Sequence, residues 1–437
     1  MMETELTRIA YTARTQPEVR FTSLVHLINP RNLEICHREL SRNKAPGIDG
    51  ITKEEYEQNL ETNLNDLVRR MKQQSYKPQP VRRAYIAKQG TNKMRPLGIP
   101  AYEDKLVQLA LSKILNSIYE EDFLDCSFGY RPNRGIHDAL KVLNRIIETK
   151  NINCILDVDI KGFFDNVDHE WLKKFVKHRI ADPNIYRLIV RFLKAGVMEE
   201  GKFQATNQGT PQGGVVSPIL ANLYLHYVVD LWFEKVMRKR YNGKAYMVRY
   251  ADDMVFCFEN EETAREFYED LVERLNRFNL EISEEKTKII PFGKRALENK
   301  TSKTFDFLGM THYMGRNRNG SPRVKRKTSK KKYKASIYKC KEWIKQHRNM
   351  PMREMWRKMY VKLQSYYRHY GITDNWESMA RFALATERLL FKWLNRRSQR
   401  KSFTWDKFSL FLRKNPLPRL KIYVNIFTLG AGADYCK

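Results

Sequence analysis

Two adjacent aspartates, Asp252 and Asp253, stand between two apolar runs of the sequence. The flanking runs, 246–249 and 254–258, are rich in aromatic and aliphatic residues, which predicts two strands that meet at a tight turn. Neighbouring carboxylates repel each other and are destabilising unless a cation neutralises them. A hard divalent ion such as Mg²⁺ suits such a pair, because it prefers oxygen ligands. Taken alone, the motif is better explained as a solvated hairpin tip, so the metal site depends on the rest of the chain.

A second pair of carboxylates, Asp157 and Asp159, lies in the apolar run 152–160, which predicts a buried strand. The predicted order along this part of the chain is strand, helix, helix, hairpin, helix and strand. That order is compatible with a split βαβ sheet with helices on one face. In such a sheet Asp159, near the end of one strand, would face Asp252 at the hairpin.

The composition favours a folded protein that binds a polyanion. The chain has 437 residues, which is enough for two to three domains, and a formal net charge of +30. Its 42% hydrophobic and 12% aromatic content is typical of globular proteins and not of disordered basic tails. Nucleic acid is therefore the favoured partner.

Cysteine spacing and hydropathy exclude several further classes of protein. The six cysteines are scattered, without a CxxC pair or a nearby histidine cluster, which argues against a disulfide framework and a structural zinc site. Residues 1–20 carry charges throughout and lack the apolar core of a secretory signal, and no apolar run is long enough for a membrane span. These patterns favour a cytoplasmic protein that does not associate with membranes.

Segments rich in glycine, proline and cations separate the predicted helices. Residues 44–50 form a loop of this kind, and 76–100 combine prolines, β-formers and cations as expected for a basic β-hairpin. Residues 208–214 are glycine-rich, and Ser217, followed by proline, predicts the N-cap of a helix. Residues 307–341 contain no acidic residue, which predicts a basic linker and an RNA-facing surface.

Taken in order, these segments resemble the group II intron reverse transcriptase/maturase family over nearly the whole chain. The segments similar to its fingers motifs are KAPGIDG at 44–50, the basic block at 76–100 and FGYRPNRG at 128–135. Those similar to its palm motifs are DVDIKGFFDNVDH at 157–169, GTPQGGVVSP at 209–218, YADD at 250–253, EKTKII at 285–290 and FDFLG at 305–309. Each motif alone is a weak signal, whereas their joint occurrence in this order is a strong one.

The resemblance implies an α+β fold with two parts. Residues 1–312 would form the fingers and palm of a right-hand polymerase, with a ferredoxin-like split βαβ sheet, and 313–437 a basic α-helical thumb and domain X. No paired cysteines and histidines follow residue 400, so the expected relatives are the bacterial type without an appended endonuclease domain.

The resemblance also implies a two-metal site. Asp159 and Asp252 would bridge two Mg²⁺ ions, with Mn²⁺ as a possible substitute, and Asp253 would support them. Asp157 lies on the same strand face and is the alternative to Asp159 as a metal ligand. If it is not a ligand, Asp157 would support the metal ligands without contacting the ions. The motif favours Asp159.

Nucleotide and primer contacts follow from the same resemblance. Cations of the fingers would reach the triphosphate, because arginine can bond two phosphate oxygens at once. Phe164 would stack on the sugar as a steric gate against a 2′-hydroxyl, with Phe163 as the alternative if the register shifts by one. The other implied contacts are Lys88, Arg95 and, as a third cation, Arg82 to the triphosphate, Gln212 and Gly213 beneath the nucleotide, Lys286 to phosphate, and Phe307, Leu308 and Gly309 at the primer end. Lys286 fits a surface lysine equally well.

The implied activity is RNA-directed DNA polymerisation for a group II intron, with a role in splicing and mobility. The expected partners are an RNA template, the intron RNA, a DNA primer or target, and deoxynucleoside triphosphates. Gln364 and Ser365 depart from the Arg-Gly pair common in the family, which leaves splicing less well supported than polymerisation. Two alternatives stay open: a maturase with an inactive polymerase site, and a reverse transcriptase with a non-intron role such as host defence. The sequence does not indicate the oligomeric state.

Overall fold

The computed structural model of the chain describes residues 2–87, 94–199, 202–205, 208–209, 213–242, 244–397, 402–428, 430–432 and 435. These residues form the mixed α and β structure expected from the sequence.

Helices and strands alternate through the first three quarters of the chain, and helices dominate the remainder. The helices are α1 (Met2–Thr15), α2 (Pro30–Glu39), α3 (Lys53–Glu57), α4 (Leu60–Lys72), α5 (Tyr102–Asp122), α6 (Ile136–Thr149), α7 (Phe163–Asn166), α8 (His169–Lys177), α9 (Pro183–Leu193), α10 (Ser217–Leu225), α11 (Arg238–Arg240), α12 (Glu261–Asn276), α13 (Lys294–Glu298), α14 (Lys330–His347), α15 (Met352–Tyr370), α16 (Trp376–Leu394) and α17 (Trp405–Lys414). The strands are β1 (Val81–Ala87), β2 (Met94–Ile99), β3 (Cys154–Asp159), β4 (Val197–Glu199), β5 (Lys202–Gln204), β6 (Ala245–Tyr250), β7 (Asp253–Phe258), β8 (Lys288–Pro291), β9 (Phe305–Phe307), β10 (Met310–Arg316) and β11 (Pro322–Thr328).

Three sheets are present in the described residues. The first has the order β2-β1-β4-β5, with β1 antiparallel to β2 and parallel to β4. The second has the order β6-β7-β3-β8 and is antiparallel throughout. The third, β11-β10-β9, is also antiparallel. The second sheet therefore carries both predicted carboxylate segments on neighbouring strands, β3 and β7.

Aromatic side chains on one face of the second sheet pack against α12. Phe256 and Phe258 of β7 contact Phe267 of α12, with ring centroids 4.7 and 5.3 Å apart. Because successive side chains of a strand point to opposite faces, Asp253 lies on the other face, together with its partner Asp159 and with Asp157, which is opposite Val255. This second face is packed as well, since Val255 and Cys257 are completely buried, and the carboxylates therefore share it with buried apolar side chains.

A long helix begins with α10, and its N-cap residue lies one position before the predicted one. Val216, and not Ser217, occupies the N-cap position, and no side chain caps the helix there. Instead, Oε1 of Gln108 on α5 accepts hydrogen bonds from the backbone nitrogens of Val215 and Val216, at 2.7 and 3.4 Å. A tertiary contact has replaced the local cap, which the sequence pattern could not indicate.

The basic segment 307–341 is folded and does not form a linker, which corrects that expectation. It contains β10, β11 and most of α14, and buried apolar residues such as Met310 and Val324 tie it to the core. The predicted division after residue 312 falls within β10, and the described structure becomes mainly helical only after Thr328.

Candidate functional site

Three predicted carboxylates lie at one edge of the second sheet. Asp159 of β3 is directly opposite Asp253 of β7, and Asp252 occupies the two-residue turn between β6 and β7. The first turn residue, Ala251, has a φ of 56°. This left-handed conformation is strained for alanine and requires support from the surrounding structure.

Burial and the charges of neighbouring carboxylates raise the pKa values of Asp157, Asp252 and Asp253. The pKa of Asp253 rises to about 6, through burial first and then the charges of Asp252 and Asp159. Burial is also the main cause of the raised pKa of Asp252, and Asp159 adds to it. Asp157 reaches a pKa of about 7, from burial and from Asp253 and Asp159. Carboxylates that oppose one another's ionisation form a site that a bound cation would stabilise.

The donor chemistry of this edge fits a divalent metal, although the side chains are not yet arranged around one. Nζ of Lys286 lies 2.5 Å from Oδ2 of Asp159, so a protein cation neutralises that carboxylate. In the described ranges, no group of three or more His, Cys, Asp or Glu side chains is positioned to hold a metal ion. A metal bound by Asp159 would compete with Lys286 for Oδ2 of this carboxylate.

The segment 127–131 packs directly against the aspartate turn. A Cβ added at Gly129 would lie 2.3 Å from the backbone nitrogen of Ala251, so only glycine permits this approach. Phe128 donates its backbone N–H to the carbonyl of Arg249 at 2.9 Å, and Nδ2 of Asn222 donates to the carbonyl of Gly129 at 2.6 Å. The FGYRPNRG motif therefore supports the turn that carries Asp252.

The two candidate gate residues differ in exposure. Phe163 is buried in the core, whereas Phe164 is only partly buried and its ring lies edge-on to that of Tyr130, with centroids 6.5 Å apart. The backbone of Phe164 is fixed by Gly209, where an added Cβ would lie 3.0 Å from the Phe164 carbonyl oxygen. This geometry favours Phe164 over Phe163 as the side chain that faces a ligand.

Cations of the first sheet divide into two groups. Arg95, exposed on β2, opposes the rise in the pKa of Asp252, so its charge lies near the aspartate turn. Arg82, in contrast, donates to the carbonyl of Pro46 at 2.8 and 3.2 Å and thereby anchors the 44–50 loop. Lys88 and Gln212 lie outside the described residues. Gly213, with a φ of 111°, packs against the Gly98 carbonyl of β2, where an added Cβ would lie 2.6 Å from the oxygen.

The segment 307–309 contains the last residue of β9 and the two-residue turn that leads to β10. Phe307 is buried, and Leu308 and Gly309 both have positive φ angles, of 51° and 83°. The Gly309 carbonyl accepts a hydrogen bond from the backbone of Ser329 at 3.0 Å, just before α14. Lys332 of α14 lies over Gly309, and its charge opposes the rise in the pKa of Asp253. The turn therefore lies between the carboxylate edge and the start of the C-terminal helices.

Two residues near the carboxylates were missed by the sequence-based prediction. Tyr130 lies beside Phe164, and its pKa is raised by burial and then by Asp252. Arg249, which precedes the aspartate turn, is completely buried. The positive φ of Tyr130 and the burial of Arg249 depend on tertiary contacts, so no local pattern could have indicated them.

Carboxylates at the edge of an antiparallel sheet, next to an exposed aromatic ring and a cationic hairpin, fit the class of nucleotidyl-transferring polymerases. The chain belongs to the reverse transcriptase family: the family described as "Reverse transcriptase (RNA-dependent DNA polymerase)" matches residues 86–312. This membership implies the right-hand polymerase fold and confirms the class of enzyme predicted from the sequence.

Similar proteins with curated descriptions come from introns and elsewhere. "Group II intron-encoded protein LtrA" of Lactococcus lactis subsp. cremoris is 42% identical over 222 residues, which cover 51% of this chain and 37% of LtrA. "Protein YkfC" of Escherichia coli K12 is 36% identical over 247 residues, 54% of this chain and 63% of YkfC. "Putative COX1/OXI3 intron 2 protein" of Saccharomyces cerevisiae is 33% identical over 184 residues, 41% of this chain and 21% of that protein. The chain thus spans less than two thirds of the length of these relatives. The predicted resemblance to group II intron reverse transcriptases is confirmed.

In the part of the chain that the structure describes, no helix is long and apolar enough to span a bilayer.

Proposed function

We propose that the protein is an RNA-directed DNA polymerase of a group II intron, which copies RNA into DNA and assists intron splicing and mobility. The observation that carries this proposal is the position of Asp159 opposite Asp253, with Asp252 in the adjoining turn, in a chain of the reverse transcriptase family. The intron part of the proposal rests on LtrA, which is described as group II intron-encoded. The cytoplasmic location expected from the sequence stays a prediction.

The carboxylates Asp159, Asp252 and Asp253 would hold two Mg²⁺ ions, or Mn²⁺ as a substitute. When bound, two such ions favour attack of a primer 3′-hydroxyl on the α-phosphate and stabilise the departing pyrophosphate. Three carboxylates supply −3 against +4, so the loaded site attracts an anionic nucleotide. Lys286, released from Asp159, would be free to contact phosphate.

Other residues would bind and orient the substrates. Arg95 and Lys88 would reach the triphosphate of a deoxynucleoside triphosphate, and Phe164 would exclude a 2′-hydroxyl. Arg82, already bonded to the 44–50 loop, would act on the triphosphate mainly through its charge. The remaining proposed contacts are Gln212 and Gly213 beneath the nucleotide, and Phe307, Leu308 and Gly309 at the primer end.

The same proposal assigns the parts of the chain. The order β8-β3-β7-β6 and its antiparallel pairing support a ferredoxin-like split βαβ palm. Residues 1–312 would form the fingers and palm. Residues 313–437 would form the thumb and domain X, which hold template and intron RNA. The two parts are in contact where the Val324 backbone of β11 donates a hydrogen bond to Glu148 of α6 at 2.7 Å.

Primer extension with Mg²⁺, oligo(dT) on poly(rA), tests the polymerase directly. The wild type should extend the primer, and Asp252→Asn should reduce the rate by about 10²-fold or more, because it removes a carboxylate from the site of charge development. Asp165→Asn, which removes a nearby exposed carboxylate, is the control and should extend as the wild type does. If the wild type binds structured RNA but fails to extend any primer, the polymerase is refuted and the maturase alternative is favoured.

A further inference from the structure

Tyr130 is an aromatic residue held in a strained backbone conformation at the edge of the proposed site. Its φ is 57°, a left-handed value that costs a residue other than glycine roughly 1–2 kcal/mol. Its side chain is 52% exposed, so burial of the ring does not compensate for this cost. Strain of this kind in an exposed aromatic residue points to a role in binding.

Both neighbours of Tyr130 hold it in this conformation. Gly129 packs on the backbone of Ala251, so the segment cannot move without displacing the aspartate turn. Arg131 is buried, bonds the Glu120 carboxylate at 2.7 and 3.0 Å and donates to the carbonyl of Ser127 at 2.9 Å. The segment is therefore rigid, and the direction of the Tyr130 ring is set by its backbone.

The ring of Tyr130 meets the ring of Phe164 nearly at a right angle. The interplanar angle is 82° and the centroids are 6.5 Å apart, an edge-to-face geometry that is attractive between aromatic rings. Phe164 has little room to shift its backbone, because Gly209 lies against it. Together the two rings form a pair of nearly perpendicular aromatic surfaces beside Asp252.

We propose that Tyr130 is a further specificity-determining residue, whose ring packs on the sugar of the incoming nucleotide and keeps Phe164 where it excludes a 2′-hydroxyl. This inference rests on the proposed polymerase function and adds a residue to it. The ring, and not the phenol hydroxyl, carries the effect, because the contact with Phe164 is made by ring atoms.

The test measures kcat/KM for dUTP and for UTP on a poly(rA) template, since these nucleotides differ only at the 2′ position. In Tyr130→Ala the preference for dUTP should fall by roughly 10- to 200-fold, the range for loss of one packing contact in a pocket. Tyr130→Phe should keep the preference of the wild type. Tyr11→Ala, which removes a tyrosine of similar exposure on α1, is the matched control.

Tyr130→Gly separates a binding role from a structural one. Glycine accepts the positive φ, so this variant should melt at or above the temperature of Tyr130→Ala and yet lose the preference to the same extent. An unchanged preference in Tyr130→Ala, while Phe164→Ala loses it, would overturn the role of Tyr130 and leave the polymerase intact. A loss in Tyr130→Phe as large as in Tyr130→Ala would overturn the ring contact, and absence of extension by the wild type would overturn the polymerase itself.

Discussion

The guanidinium of Arg249 and the carboxylate of Asp230 form a completely buried ion pair directly behind the aspartate turn. Two hydrogen bonds join them, from Nε to Oδ1 at 2.7 Å and from a terminal nitrogen to Oδ2 at 2.5 Å. Arg249 also donates to the carbonyl of Ala251 at 3.1 Å and to Oγ of Ser127 at 2.7 Å. Asp230 ends a π-helical segment, His226–Asp230, which directly follows α10 in the long helix that begins there. The pair therefore connects this helix, the turn and Ser127, the residue that precedes the FGYRPNRG motif.

Asp230→Ala should destabilise the protein by about 3–5 kcal/mol, because it leaves the guanidinium of Arg249 buried without its partner. Denaturant unfolding measures the loss. The matched control is Asp270→Ala, which breaks the exposed pair between Arg240 and Asp270 at 2.7 Å and should cost less than about 1 kcal/mol. Equal losses in the two variants would show that the buried pair has no special role.

Gly129→Ala should reduce primer extension far more than Gly135→Ala. An alanine methyl group at position 129 meets the backbone of Ala251 and must displace the turn that carries Asp252. At Gly135 the nearest atom to an added Cβ is 3.6 Å away, an ordinary contact. Steady-state extension rates check the difference, with melting temperatures measured in parallel. Equal activity of the two variants would contradict the proposed dependence of the site on this contact.

Lys286→Met should lower the Mg²⁺ concentration needed for half-maximal extension by roughly two- to fivefold. This change corresponds to the free energy that an exposed ion pair contributes. The reason is that Lys286 competes with a metal for Oδ2 of Asp159. A Mg²⁺ titration of extension rate measures the effect, and Lys294→Met, an exposed lysine of α13, is the control. An unchanged Mg²⁺ requirement would contradict this competition. A raised KM for nucleotide would support the proposed contact of Lys286 with phosphate.

Asp157→Asn should stabilise the metal-free protein near pH 8, and this gain should shrink as pH falls from 7 towards 4. The folded protein raises the pKa of Asp157 to about 7, whereas an unfolded aspartate has a pKa of about 3.9. The folded state therefore binds this proton more tightly, and stability falls as pH rises from about 4 to 7, where the unfolded chain has lost the proton and the folded chain keeps it. Above pH 7 both states are ionised and the loss is complete. One pKa unit corresponds to about 1.4 kcal/mol, so about three units give a gain on the order of 4 kcal/mol at pH 8.

The pH dependence is measured as the difference in melting temperature between Asp157→Asn and the wild type in EDTA. This difference should be positive at high pH and shrink as pH falls from 7 towards 4. Asp165→Asn, which alters an exposed carboxylate, should show no such trend. A difference that grows towards low pH would contradict the raised pKa.

Local features of the fold were predicted well because each depends on residues close together in the chain. The hairpin at 250–253 follows from two apolar runs separated by a polar pair, and it joins β6 and β7 as expected. Asp168 caps α8 by accepting a hydrogen bond from the Trp171 backbone at 2.9 Å, a contact between residues three positions apart. The cap predicted at Ser217 was wrong by one residue, because Gln108 from a distant helix satisfies the backbone there.

The sequence by itself determined the family, the strands and turn that carry the aspartates, and the cationic character of the chain. Only the tertiary structure distinguished two neighbouring aromatic residues by their exposure: Phe164 is partly exposed and Phe163 is buried. It also brought Gly129 against Ala251, more than a hundred residues apart, and buried Arg249. The physical reason is that side-chain periodicity and turn propensity act between near neighbours in the chain. Contacts across such separations arise instead from the packing of whole helices and sheets.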